Sequence, residues 1–200
     1  MNTRELTLGM ADFRLKADKA VDAGLLDRAK TGDLEAFDQL MRLHEQQVLG
    51  TALRLLGNLE DAQDAAQEAF LRLYKSLNRL PDIQEIKPWL YRVTVNVCND
   101  MHRARRRRGW EPLSGPDPVS TQLDPELQWA HQERGKLVEM ALKILPEKER
   151  AALVLRDMQG LSTKEVAEIL GSSEVTVRSQ ISVARGKLKE FTDRYLRKRL

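Results

Sequence analysis

Arg92, Asn96, Asn99, Arg103 and Arg106 recur at three- and four-residue steps, so a helix through them would present two amides and three guanidinium groups on one face. Guanidinium groups neutralise phosphates and amides reach base edges, so the chemistry on offer is recognition of a nucleic acid. Five arginines lie between Arg103 and Arg108. A cationic helix end favoured by the helix dipole is the simpler reading, but it requires fewer of them. Single-stranded bases could add stacking on Tyr91 or Trp89, although Trp89 fits better in the apolar register of the same helix.

A second polar set, Thr176, Arg178, Ser179, Gln180, Ser182 and Arg185, follows a tight turn at Gly171 to Ser173. Arg can pair with guanine and Gln with adenine, while Ser and Thr near a helix start can hold phosphate together with backbone N–H groups. The competing reading is a solvated helix face in a protein-binding bundle. A third set, Asp61, Asp64, Gln67 and Glu68, has no basic neighbour before Arg72. Acids in the first turns of a helix are favoured by its dipole, but an acidic stripe beside an apolar edge could also dock a basic protein.

Catalytic and metal readings find little support. Cys98 and His102 sit one helical turn apart, but two ligands do not make a zinc site, and His44 and His131 lack a ligand-like spacing with them. No Gly-rich phosphate loop, nucleophile elbow or His-Glu-x-x-His pair occurs. The expectation is a chain without catalytic residues, metal or cofactor.

The elements that must position these sets are helices. Asn58 reads as an N-cap, and Ala62, Ala65, Ala66, Ala69, Phe70, Leu73 and Leu77 then form an amphipathic stripe. A further helix is expected to start with Pro88 at its first position and to bury Trp89, Leu90, Val93, Val97 and Met101. An earlier one spans roughly Leu25 to Leu56 with a break near Gly32. Beyond residue 140, a helix begins near Pro146 and stops at Gly160, and Ser162 with Glu165 makes a capping box for the next. That helix buries Val166, Ala167, Ile169 and Leu170. The last runs from about Glu174 to Tyr195 with Val177, Ile181, Ala184 and Leu188 inward, so the final pair reads as a helix-turn-helix.

The net charge of +3 conceals an uneven distribution. Residues 1–108 carry 18 Lys and Arg against 16 Asp and Glu, residues 109–128 carry none against four, and residues 129–200 carry 15 against 10. The middle piece also holds four of the seven prolines, each of which removes a donor and disfavours helix before it. The expected class is therefore all-α: an N-terminal extension (1–24), a helical domain (25–108), a flexible acidic Pro-rich linker (109–128) and a second helical domain (129–200) ending in the helix-turn-helix. No apolar run approaches the roughly 20 residues that cross a bilayer, and the N-terminal segment scatters acids among its apolar residues, unlike a secretory signal. With one cysteine, Cys98, no internal disulfide forms, which fits a reducing cytoplasm.

Two segments carry a resemblance. DAQDAAQEAFLRLYKSL followed by IKPWLYRVTVNVCNDMHRARRRR resembles the first-domain core of ECF (extracytoplasmic function) sigma factors of the sigma-70 family, and LPEKERAALVLRDMQGLSTKEVAEILGSSEVTVRSQISVARGKLK resembles their C-terminal promoter-binding domain. The resemblance covers most of residues 25–190 in the family's order. It implies a non-enzymatic, cytoplasmic initiation factor, without a stable homo-oligomer, whose partners are core RNA polymerase, promoter DNA and an anti-sigma factor. Asp61, Asp64, Gln67, Glu68 and Phe70 fall where the family binds the polymerase clamp helices. Arg92, Asn96, Asn99, Arg103 and Arg106 fall on the −10 helix, and the loop from Leu80 to Lys87 corresponds to the segment that captures an extruded base. Thr176, Arg178, Ser179, Gln180, Ser182 and Arg185 fall on the −35 helix. The linker resembles the segment that threads the RNA-exit path. Where the family commonly has Gly, Arg and Arg, this chain has Val175, Gln180 and Val183, which removes two phosphate anchors.

Overall fold

The computed structural model describes residues 24–80, 82–107 and 135–197, and among them every regular element is helical. The expected linker (109–128), nearly all of the expected N-terminal extension (1–24) and residues 129–134 lie outside the described residues. Helix α1 covers 24–30 and gives way at Gly32 to α2, Leu34–Leu56. The break has two causes: Gly32 takes a φ of 93°, and the Asp33 carboxylate accepts hydrogen bonds from the backbone N–H groups of Glu35 and Ala36 to start the new helix.

Helix α3, Leu59–Ser76, is capped by the Asn58 side chain as its sequence predicts. Ala62, Ala65 and Ala69 are fully buried, so the flanking helices come close at the start of α3 before Phe70 and Leu73 fill the wider end. Two 3-10 turns, Leu77–Arg79 and Ile83–Glu85, lead into α4, Ile86–Arg107. Pro88 is the third residue of α4 rather than the first. The fully buried Ile86 anchors the earlier start, and the missing N–H of a proline is tolerated throughout the first turn.

The buried face of α4 also differs from expectation. Leu90 and Val97 are buried, but Trp89, Val93 and Met101 are only half-buried, while Tyr91, Thr94, Val95 and Cys98 are enclosed. A single amphipathic stripe presumes one neighbouring layer, and α4 has two.

The second layer is the C-terminal domain. Helix α5 covers 135–143, α6 covers Glu147–Leu153, a π turn covers Val154–Met158, α7 covers Thr163–Leu170 and α8 covers Glu174–Arg197. The capping box of Ser162 and Glu165 is present, and Gly171, at a φ of 60°, ends α7 and opens the turn into α8. One apolar cluster runs from Ala52, Leu55 and Leu56 of α2 through Tyr91, Val95 and Cys98 of α4 to Leu155, Val166 and Ile169 of the C-terminal domain. The two helical units therefore share a core. At its rim the stem of Lys143 lies over Gly57, and the φ of 76° at this residue favours glycine there.

Two histidines set the acid limit of this packing. Burial lowers the pKa of His44, assisted by the charge of Lys87, and burial likewise lowers that of His102. A histidine depressed in the folded state contributes its full stability above the unfolded value near 6.5, and that stability is lost as pH falls through the lower folded value. Thermal melting should thus show a lower Tm at pH 5 than at pH 7.5. His44→Gln should flatten the profile in that window; an unchanged profile would take His44 out of the account.

Candidate nucleic-acid and protein interfaces

On α4, Arg92, Asn96, Arg103 and Arg106 are exposed and Asn99 is half-buried along one side, as their spacing predicts. They are not equally available. Arg92 donates to the Glu168 carbonyl at 3.2 Å and Arg106 pairs with Glu147 at 2.8 Å, both across the seam with the C-terminal domain. Arg103 contacts Asp100 at 3.5 Å within its own helix. The stretch Asn96 to Arg103 is the part of this face that the seam leaves open.

The seam itself holds Arg150, which sequence patterning did not single out, together with His102 and with Tyr91, whose burial removes it as a stacking platform for bases. Tyr91 is 2% exposed, donates from its hydroxyl to Gln159 Oε1 at 3.2 Å, and has its pKa pushed up to about 12 by burial. Arg150 donates to the carbonyls of Leu55 at 2.6 Å, Leu145 at 3.0 Å and Lys143 at 3.3 Å. His102 Nε2 also lies 3.1 Å from Leu55 O, so that carbonyl, an orphan of the last turn of α2, is satisfied twice. Two signals for these residues are nonetheless present in the chain. Tyr91, Val95, Cys98 and His102 form a second stripe at helical spacing, and Arg150 sits in register with the buried Leu153 and Val154.

Cys98 is buried beside this seam, and its thiol is pushed up to about 12 by burial, which makes it a packing residue rather than a nucleophile. Among the described residues no group of three His, Cys, Asp or Glu side chains gathers to hold a metal. Glu68 pairs with Arg72 at 2.7 Å and Asp100 with Arg103, on different helices.

The acidic stripe divides in two. Asp61 is turned inward, its side chain 14% exposed, in a salt bridge with Arg105 of α4 and a hydrogen bond with the Asn58 amide. Asp64 and Gln67 are exposed, and they line a groove with Phe70, Leu71 and Tyr74 of α3 and Phe37 and Met41 of α2. This groove joins a carboxylate and an amide to an aromatic floor, the chemistry to receive a basic helical partner. In the loop expected to capture a base, Leu80 is buried against the α1–α4 core and Ile83 packs beside it, while Asp82, Glu85 and Lys87 are exposed. Pro81 lies outside the described residues.

Helix α8 starts at the Ser173 cap, whose hydroxyl accepts from the Thr176 N–H at 3.1 Å and meets the Thr176 hydroxyl at 2.8 Å. Arg178 pairs with Glu174 at 2.6 Å, and Arg185 holds Asp157 of the π turn with two bonds of 2.8 and 2.6 Å. Ser179 and Ser182 are exposed. Gln180 is half-buried, its amide oxygen enclosed, at an open cavity lined by His102, Arg106 and Arg150. The candidate set on α8 thus spreads over three sides of the helix.

Two family models match the chain: Sigma-70 region 2 over residues 40–108 and Sigma-70, region 4 over residues 136–188. The chain is 31% identical to the RNA polymerase sigma-H factor of Pseudomonas aeruginosa, over 88% of this chain and 96% of that one. It is 36% identical to the ECF RNA polymerase sigma factor SigM of Mycobacterium tuberculosis, over 84% and 82% respectively. Among solved structures it resembles CnrH in complex with the cytosolic domain of CnrY, with a TM-score of 0.63 and 28% identity over 86% of this chain and 97% of that one. A likeness to RpoE from a complex with the anti-sigma factor NepR from Bartonella quintana, with a TM-score of 0.66 and 23% identity over 78% and 96%, concerns the fold.

Proposed function

Because the chain belongs to the ECF group of the sigma-70 family, and is a transcription initiation factor, we propose a division of labour among its surfaces. The unit at 25–108 binds core RNA polymerase through the α2–α3 groove, with Asp64, Gln67 and Phe70 in direct contact, Glu68 at its border and Asp61 holding α3 to α4. The same unit engages the −10 element through Asn96, Asn99 and Arg103, joined by Arg92 and Arg106 once their contacts to the C-terminal domain are exchanged for phosphates. The segment 109–128 tethers the units, and 129–200 places α8 in the major groove at the −35 element. The factor acts in the cytoplasm, performs no catalysis of its own, and is restrained by an anti-sigma factor.

The observation that carries this reading is the occurrence in one chain of an arginine and asparagine face on α4, an acid-rimmed apolar groove between α2 and α3, and a helix-turn-helix after them. The test is size-exclusion chromatography with bacterial core polymerase, followed by run-off transcription from a selected promoter. Co-elution together with promoter-dependent transcripts is the expected result. A chain that ignores core polymerase yet binds duplex DNA specifically at nanomolar concentration would be an independent helix-turn-helix regulator instead.

A further inference from the structure

Helix α8 buries Val177, Ile181 and Ala184. At about 100° per residue, the direction opposite that stripe is taken by Val175, Ser179, Ser182 and Gly186, with Val183 beside them. The cations stand elsewhere: Arg178 and Arg185 lie on one flank, roughly 90° from the outward direction, and each is held by a carboxylate. Thr176 and Gln180 lie on the other flank, the first engaged with the helix cap and the second partly enclosed. The part of α8 that projects furthest therefore offers two serine hydroxyls and two exposed valines, Val175 at 71% and Val183 at 45% exposure.

We propose that Val175 is a specificity-determining residue that reads the C5-methyl group of a thymine in the −35 element. The proposal rests on the reading of α8 as the −35 helix. A recognition helix contacts base edges with its N-terminal residues, and Val175 is the second residue of α8. Ser179, Ser182 and Gly186 are small, so the helix can settle close to the groove floor, where a thymine methyl is the one apolar feature among hydrogen-bonding edges. Helix α8 carries six Lys and Arg against three Asp and Glu, and this excess of cations along one helix identifies the occupant as a polyanion. Arg178 and Arg185 then serve as phosphate anchors on the flank.

The experiment uses holoenzyme assembled from the full chain and core polymerase. It first selects promoters from a pool randomised at the −35 element, then replaces each selected thymine in turn with deoxyuridine, which lacks only the methyl group. At one thymine, deoxyuridine should weaken promoter binding about fourfold, the value of one buried methyl. Val175→Ala should lose that sensitivity there and keep sensitivity to other base changes. Equal sensitivity in wild type and Val175→Ala, or selection of a −35 element without thymine, would overturn the proposal while leaving α8 as the −35 helix. A holoenzyme that initiates from selected promoters with no −35 preference would instead remove the underlying reading of α8.

Discussion

Asp64→Lys should fold normally and fail to assemble with core polymerase, whereas Asp61→Lys should fail to fold well enough for assembly to be judged. The two carboxylates lie in one helix three residues apart, and sequence alone treats them as equivalent members of an acidic stripe. Asp64 is exposed at the rim of the α2–α3 groove, so a lysine there costs little stability and opposes the basic partner surface proposed for the groove. Like charges facing each other across an interface cost several kcal/mol, enough to abolish co-elution at micromolar concentration. Asp61 is enclosed with Arg105, the two side chains 14% and 19% exposed. A lysine there leaves two cations in a largely desolvated site and removes the carboxylate that accepts from the Asn58 side-chain amide, at a cost of about 3–5 kcal/mol. Urea denaturation reads the difference, and Arg105→Glu should restore much of the stability of Asp61→Lys. A stable Asp61→Lys protein that no longer binds polymerase would return Asp61 to the contact surface.

Arg150→Met should destabilise the chain by roughly 2–4 kcal/mol and loosen the C-terminal domain from α2. One guanidinium reaches three carbonyls, Leu55 across the seam and Lys143 and Leu145 in its own domain, and the apolar replacement takes this donor from all three, leaving Leu55 O to His102 alone. Burial already lowers the pKa of Arg150, the mark of a cation held where water is scarce. Arg150→Lys should recover less than half, because an ammonium cannot span acceptors set around a planar fork. Hydrogen exchange would localise the change: faster exchange in α6 and the last turn of α2, with α3 unaffected. Faster exchange confined to the C-terminal domain, with the last turn of α2 unchanged, would mean that Arg150 stabilises only its own domain.

Most individual helices are legible in the amino-acid sequence. Caps at Asn58 and Ser162, the stop at Gly171 and the alanine stripe of α3 rest on local backbone chemistry and helical periodicity, and each is where the pattern predicts. The features that escape such patterning are chiefly long-range. Periodicity assigns α4 a stripe suited to one neighbour, yet Tyr91, Val95 and Cys98 are buried because a second domain covers them. The π turn at Val154–Met158 leaves no mark in residue type, yet its extra residue redirects Asp157 toward Arg185 and Gln159 toward Tyr91.

The candidate sites divide along the same line. Periodicity is sufficient to put Arg92, Asn96, Asn99, Arg103 and Arg106 on one side of a helix and to set Thr176 through Arg185 after a tight turn, because three- and four-residue steps define a face whatever lies opposite. Tertiary packing alone decides which members are spoken for: Asp61 by Arg105, Arg92 and Arg106 by the C-terminal domain, Arg185 by Asp157. A side chain's type states which bonds it can make, but the partner that takes them is supplied by residues tens of positions away, and their approach is governed by the shared apolar core.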